Sequence, residues 1–193
     1  KSTAAPTRAM ADAPYKFFSA PQKEGDCLCI PEVSSERRKY IPMGFLKNGI
    51  IASNKLLILP DASIYHFGVL ISNVHMAWTR TVCGRLKSDY QYSGAIVYNN
   101  FPWPIPTEQQ KQRIEQTARA ILDARALYPD SSLADLYDEL TMPPELRKAH
   151  QANDRAVMDA YGFTKGTAAR TSESACVAEL MKLYQQKVSE LEK

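Results

Sequence analysis

Glycine is scarce and scattered in this chain, eight among 193 residues, and no group of them forms a loop that could cradle a phosphate. There is no G-x-S-x-G turn, no pair of carboxylates set beside an apolar pocket signal, and no cluster of metal ligands, so a self-contained active site has no motif behind it. Cysteine is short as well. Cys27, Cys29, Cys83 and Cys176 form one C-x-C and two distant singles, and none of the three histidines, His66, His75 and His150, stands beside a cysteine. That spacing misses the C-x2-C arithmetic of a zinc site. The thiols read as reduced, with Cys27 and Cys29 on one face of a strand. No apolar run approaches the ~20 residues needed to cross a bilayer and no signal peptide opens the chain, so a cytoplasmic protein without a membrane partner is expected. An opening Lys1 in place of methionine suggests an excised fragment.

What is present suits a folded core: 45% of residues are hydrophobic and 23% charged, enough for one or two compact domains. Charge is unevenly placed. Residues 1–105 hold 12 Lys and Arg against 7 Asp and Glu, net +5, whereas residues 106–193 hold 12 against 14, net −2. An acidic partner therefore belongs to the first part.

Asp26 to Val33 alternates as a strand stopped near Pro31, and Tyr40 to Leu46 reads as a second strand interrupted by Pro42 and Gly44. Asn48-Gly49 is a turn signal, and the run from Ile50 to Leu59 reads as a buried strand ended by Pro60 and Asp61, which offer a helix cap. From Ile64 the period changes: Ile64, Phe67, Ile71, Val74 and Trp78 predict one amphipathic helix, with His66 and His75 as polar residues on its flanks. Gly68 and Ser72 would let a second backbone approach closely. Tyr90 to Tyr98 reads as a strand with a bulge at Gly94. Beyond it, Thr107 and Gln110 form a capping box for a helix whose apolar face is Ile114, Ala118, Ile121 and Leu122. Three more helices are predicted: Ser132–Leu140, one from Pro143-Pro144 to Tyr161-Gly162, and one from about Ser172 packing on the other helices, after a flexible linker at 164–170.

One stretch combines chemistry with irregular backbone: Arg80, Arg85, Lys87 and Ser88 stand among Tyr90, Tyr92, Tyr98 and Trp103, ahead of a proline-rich run that should set the angle between the two parts. A second loop holds Ser35, Arg37, Arg38 and Lys39. Arginine and lysine reach phosphates and guanine edges, serine hydroxyls suit either, and tyrosine packs on sugars or unstacked bases. Two such loops point to nucleic acid, because fixed register on DNA requires contacts from several places.

The segments SSERRKYIPMGFL, DASIYHFGVLISNVHMAWTRTVCGRLKSDYQYS, AIVYNNFPWP and DRAVMDAYGF resemble the carboxy-terminal part of the MmeI-like class I S-adenosylmethionine-dependent DNA methyltransferases. These are the single-chain type IIG or IIL restriction and modification enzymes. The resemblance runs from about Ala13 to Tyr184. It implies a target recognition domain over 1–105 and a helical carboxy-terminal domain over 106–193. Asn99-Asn100-Phe101-Pro102 lacks the consecutive prolines of the family's N-P-P-Y motif, and the methyl-donor motif has no match.

By resemblance, then, the fragment alone catalyses nothing. It reads a short sequence of double-stranded DNA for an upstream methyltransferase domain of the same chain. That domain binds S-adenosylmethionine and methylates adenine at N6, with or without a fused nuclease. Ile64 to Trp78 would be scaffold. Base and phosphate contacts would fall on Arg80, Arg85, Lys87, Ser88, Tyr90 and Tyr92, and next on Ser35, Arg37, Arg38 and Lys39. A docking module that never touches DNA is the competing reading. The expected architecture is α+β: a small, mostly antiparallel sheet with one long helix packed on it, then a bundle of about four helices.

Overall fold

The computed structural model describes residues 4–11, 13 and 22–191 of the chain. The aromatic cluster Tyr15, Phe17 and Phe18 lies outside the described residues. A short helix α1 (Ala5–Ala9) precedes two small antiparallel sheets. In the first sheet, β1 (Cys27–Pro31) is central between β3 (Gly44–Leu46) and β4 (Leu56–Pro60), with Leu28 opposite both Phe45 and Leu59. Every residue of β1 from Cys27 to Ile30 is buried, so Cys27 and Cys29 share a strand that is covered on both faces. Asn48-Gly49 makes the turn its residues predict, with Gly49 at φ +86° and the Asn48 carboxamide accepting from the Gly25 amide.

The α+β class holds, but the single long helix does not. It is two: α2 (Ile64–Leu70) and α3 (Asn73–Val82). Ser72 causes the break. Its hydroxyl donates to the Val69 carbonyl at 2.7 Å and accepts from the His75 amide, ending one helix and capping the next. The rotation carries His75 off the predicted flank and into the core, where it is fully buried. Nor do Pro60 and Asp61 cap α2; Asp61 adopts φ +55°, and Ser63 with His66 forms the capping box instead.

The second sheet consists of β2 (Val33–Ser34), β6 (Asp89–Gln91) and β5 (Gly84–Leu86), with β6 in the middle. The strand expected to run on to Tyr98 stops at Gln91. A π-helix over Gly94–Tyr98 replaces its second half, its end bound by the Asn100 carboxamide donating to the Ala95 and Ile96 carbonyls.

In the helical part, α4 (Glu108–Ala126) starts at the expected Thr107–Gln110 capping box and buries Ile114, Ala118 and Ile121. The short α5 (Leu133–Leu136) ends well before Leu140, which is 93% exposed. Then α6 (Pro144–Ala160) begins on the paired prolines and closes at Gly162, φ +75°. The segment expected as a linker is turn and irregular backbone as far as Thr167, but its end folds into α7 (Ala168–Thr171), anchored by buried Ala169. The last helix, α8 (Glu173–Leu191), lays its stripe on α3 and α7 rather than on α4, α5 and α6; Trp78 and Tyr184 meet there with ring centroids 5.8 Å apart.

Both α4 and α6 pack on α2, so one hydrophobic core runs from Leu28 to Leu180 without a break at residue 105. Helices α2 and α4 approach closely at Gly68, where an added Cβ would stand 2.7 Å from Ile114 Cγ2 and 2.9 Å from the Ala118 Cβ. Its carbonyl accepts from Asn153 Nδ2 at 2.7 Å, and Asn153 Oδ1 accepts from Thr117.

Candidate nucleic-acid interface

A chain leaving α3 after Cys83 turns at once into a hairpin, β5 and β6 joined by Lys87-Ser88 alone. Lys87 sits at φ +57°, left-handed backbone that glycine or asparagine adopts more readily. Arg85 lies across Tyr90, its guanidinium carbon 4.3 Å from the ring centroid, and donates to the Ser88 carbonyl at 3.0 Å. This braces the turn from beneath.

The third strand brings the second predicted loop to the same place. Ser34 pairs opposite Tyr90, so residues 35–39 leave the sheet at the end where Lys87-Ser88 projects. Two bonds fix the neighbours: the Glu36 amide donates to Asp89 Oδ1 at 3.2 Å, and the Tyr90 hydroxyl donates to the Glu36 carbonyl at 3.2 Å. Inside the loop, the Arg38 amide closes a turn onto the Ser35 carbonyl and the Arg37 amide donates to Ser35 Oγ. Arg37, Arg85, Lys87, Ser88 and Lys39 are exposed, and Ser35 and Arg38 half-buried. Among the described residues, the side chains of Arg37, Arg38 and Lys87 have no ion-pair partner.

Three of the residues singled out by sequence stand differently. Tyr90 and Tyr92 are buried, at 5% and 3% exposure, which withholds their rings from any base. Tyr92 bonds through its hydroxyl to His75 Nε2 at 2.9 Å; burial pushes that imidazole down to about 3, so it is neutral. Arg80 is engaged by Glu173 at 2.9 Å and by the Lys39 carbonyl, tying α3, α8 and the basic loop together.

Strand alternation reveals a face that the sequence reading passed over. Ser34, Tyr90 and Arg85 point one way, which leaves Val33, Gln91 and Leu86 exposed on the other, with Gly84 opposite Gln91. The Gln91 carboxamide rests over Gly84, its Oε1 3.5 Å from where a Cβ would stand. On this face, which Asp89 shares, the uncharged Gln91 amide can pair with a base edge and the apolar Val33 opposite it can touch a thymine methyl. Strands of two and three residues are too short for alternation to show in sequence.

The DRAVMDAYGF segment is a fastening. Asp154 Oδ1 accepts from the Asn73 amide at the start of α3 at 2.8 Å, and Oδ2 from the Tyr40 hydroxyl at 2.7 Å; burial pushes its carboxyl up to about 6. Asp159 binds Arg170, and the Tyr161 hydroxyl donates to the Pro102 carbonyl. Tyr40 also stacks on His150, centroids 4.1 Å apart, and His150 Nε2 is 2.7 Å from the Tyr137 hydroxyl that Arg125 holds. The base of the 35–39 loop is thereby bound to α6.

Comparison with known proteins gives one consistent set of relatives. The family model for the MmeI target recognition domain matches residues 1–105, and that for the MmeI C-terminal domain matches residues 106–192. DNA methyltransferase A of Bacillus subtilis (strain 168) is 40% identical over 186 residues, 96% of this chain and 21% of that protein. A solved structure of the type IIL restriction-modification enzyme MmeI in complex with DNA is similar at a TM-score of 0.87 and 50% identity, over 98% of this chain and 25% of that one. The chain thus spans only about a fifth to a quarter of the length of these relatives.

Proposed function

The chain belongs to the MmeI family, and on that premise we propose that it reads a short sequence of double-stranded DNA and holds the duplex for an adenine-N6 methyltransferase domain of the same polypeptide. The observation that carries this is the convergence of two basic loops, some fifty residues apart in sequence, at one end of the β2–β6–β5 sheet. In this reading Lys87, Ser88 and Arg85 make base or phosphate contacts from the hairpin, and Gln91 adds a contact from the strand face opposite Arg85. Ser35, Arg37, Arg38 and Lys39 hold the backbone alongside. Tyr90, Tyr92 and Arg80 serve by positioning these groups. The left-handed backbone at Lys87 supports the assignment, since strain of ~1–2 kcal/mol is retained to present an exposed cation at the tip of the hairpin.

S-adenosylmethionine would supply the methyl group in the complete enzyme, and such an enzyme would work in the cytoplasm, where the DNA is. In this chain the Asn99–Pro102 run serves the fold, the Asn100 carboxamide donating to the Ala95 and Ile96 carbonyls at the end of the π-helix. What this chain does is bind, orient and discriminate.

The test is DNA binding by the full-length enzyme as salt is raised. Reading through several phosphates requires a steep fall, with a slope of roughly one per phosphate contacted, and Arg85→Ala with Lys87→Ala should shallow it. Salt-insensitive binding that both substitutions leave unchanged would favour a docking module held by apolar contacts.

A further inference from the structure

We propose that α6 carries a second DNA-backbone contact, a phosphate-tracking stripe of Lys148, Gln151 and Arg155 continuous with the 35–39 loop. The inference rests on the DNA-binding reading above and extends it onto the helical part of the chain. These three residues recur at three and four positions along α6, so they lie on one face, and all three are exposed. Lys148 and Arg155 have no ion-pair partner among the described residues. The acidic side chains of α6 are engaged elsewhere: Glu145 accepts from the Tyr128 hydroxyl at 2.9 Å, buried Asp154 accepts from the Asn73 amide and the Tyr40 hydroxyl, and Asp159 is bound by Arg170.

Position connects the stripe to the interface. The next residues round the helix, His150 and Asp154, are those that grip Tyr40, one by ring stacking and one by its carboxylate. Lys39 adjoins Tyr40, with its ammonium 5.6 Å from the ring centroid, and the charges of Lys39 and Arg155 both act on the Asp154 carboxyl. The loop cations and the helix cations therefore lie on adjoining parts of the surface, joined through Tyr40. From Lys148 to Arg155 the helix rises about 10 Å, the axial advance of about three phosphates on one DNA strand. An unpaired cation, an amide donor and a second unpaired cation over that span match a backbone and offer no discrimination between bases.

The experiment uses the full-length enzyme with duplex DNA carrying its site and with random-sequence duplex. Lys148→Ala combined with Arg155→Ala should lower the slope of log affinity against log salt by about two, one for each contact, and should weaken both duplexes by the same factor. The sequence modified should not change. A control pair with the same loss of charge, Arg119→Ala with Lys182→Ala on α4 and α8, should leave the slope as it was. An unchanged slope in the α6 variant, or an equal fall in the control, overturns the inference. If Arg85→Ala with Lys87→Ala alters binding while the α6 pair does not, only the stripe is lost; if neither pair alters it, the recognition reading falls as well.

Discussion

At the scale of single residues, two backbone positions make opposite demands. Lys87 occupies left-handed backbone that costs a non-glycine residue ~1–2 kcal/mol, so Lys87→Gly should keep or slightly raise the unfolding midpoint while weakening DNA binding. A parallel denaturation curve and binding titration separate the two effects; loss of stability together with binding would mean that the lysine is structural. Gly68 is the reverse case. A methyl there would meet Ile114 and Ala118 side chains in the core, and Gly68→Ala should cost about 1–3 kcal/mol, read as a lower urea midpoint at unchanged slope. Gly68 was legible in sequence as a close approach because it lies on the apolar stripe of its helix. The burial of Tyr90 and Tyr92 was not, since an aromatic among arginines looks the same whether it supports a guanidinium from below or waits for a base.

At the scale of elements, the helices with strong ends could be read and those broken from within could not. The capping box at Thr107 and the stripe Ile114, Ala118, Ile121 announce α4, as the paired prolines and Gly162 announce α6. Between Ile64 and Trp78 the apolar period continues through a break made by one hydroxyl, and periodicity does not register a cap inside an unbroken stripe. Ser72→Ala should therefore cost more than a surface cap, about 1–3 kcal/mol, because it removes the α3 cap and a buried bond to Val69. Ser72→Thr, which keeps the hydroxyl, should recover part of that in the same melt. The π-helix escaped for a different reason: GAIVY has a strand composition, and the Ser93 and Asn100 bonds that hold it are local side-chain contacts.

At the scale of the whole molecule, the two parts share a core, and their polar fastenings titrate. His75 is pushed down to about 3, and His150 lies well below its ordinary value, both through burial, so each is neutral in the fold. The unfolded chain takes up these protons near 6.5; their contribution is complete above that pH and is lost as pH falls toward the folded values. Asp154, raised to about 6, acts in the opposite sense, binding a proton in the fold between about 6 and 4 that the unfolded chain binds only lower. The unfolded state thus gains about one net proton over that window, and stability should fall as pH drops from 7 to 4. Asp154→Asn removes the offset and should steepen the decline; melts at several pH values that show no steepening would contradict the assignment.

The central claim is that the hairpin at Lys87 reads sequence. The most direct measurement is to let the full-length enzyme carrying Lys87→Ala modify genomic DNA and to map every modified adenine by sequencing, beside the unaltered enzyme. The account predicts relaxed or altered preference at one position of the recognised sequence, with modification elsewhere in that sequence intact. An identical set of modified sites would contradict it.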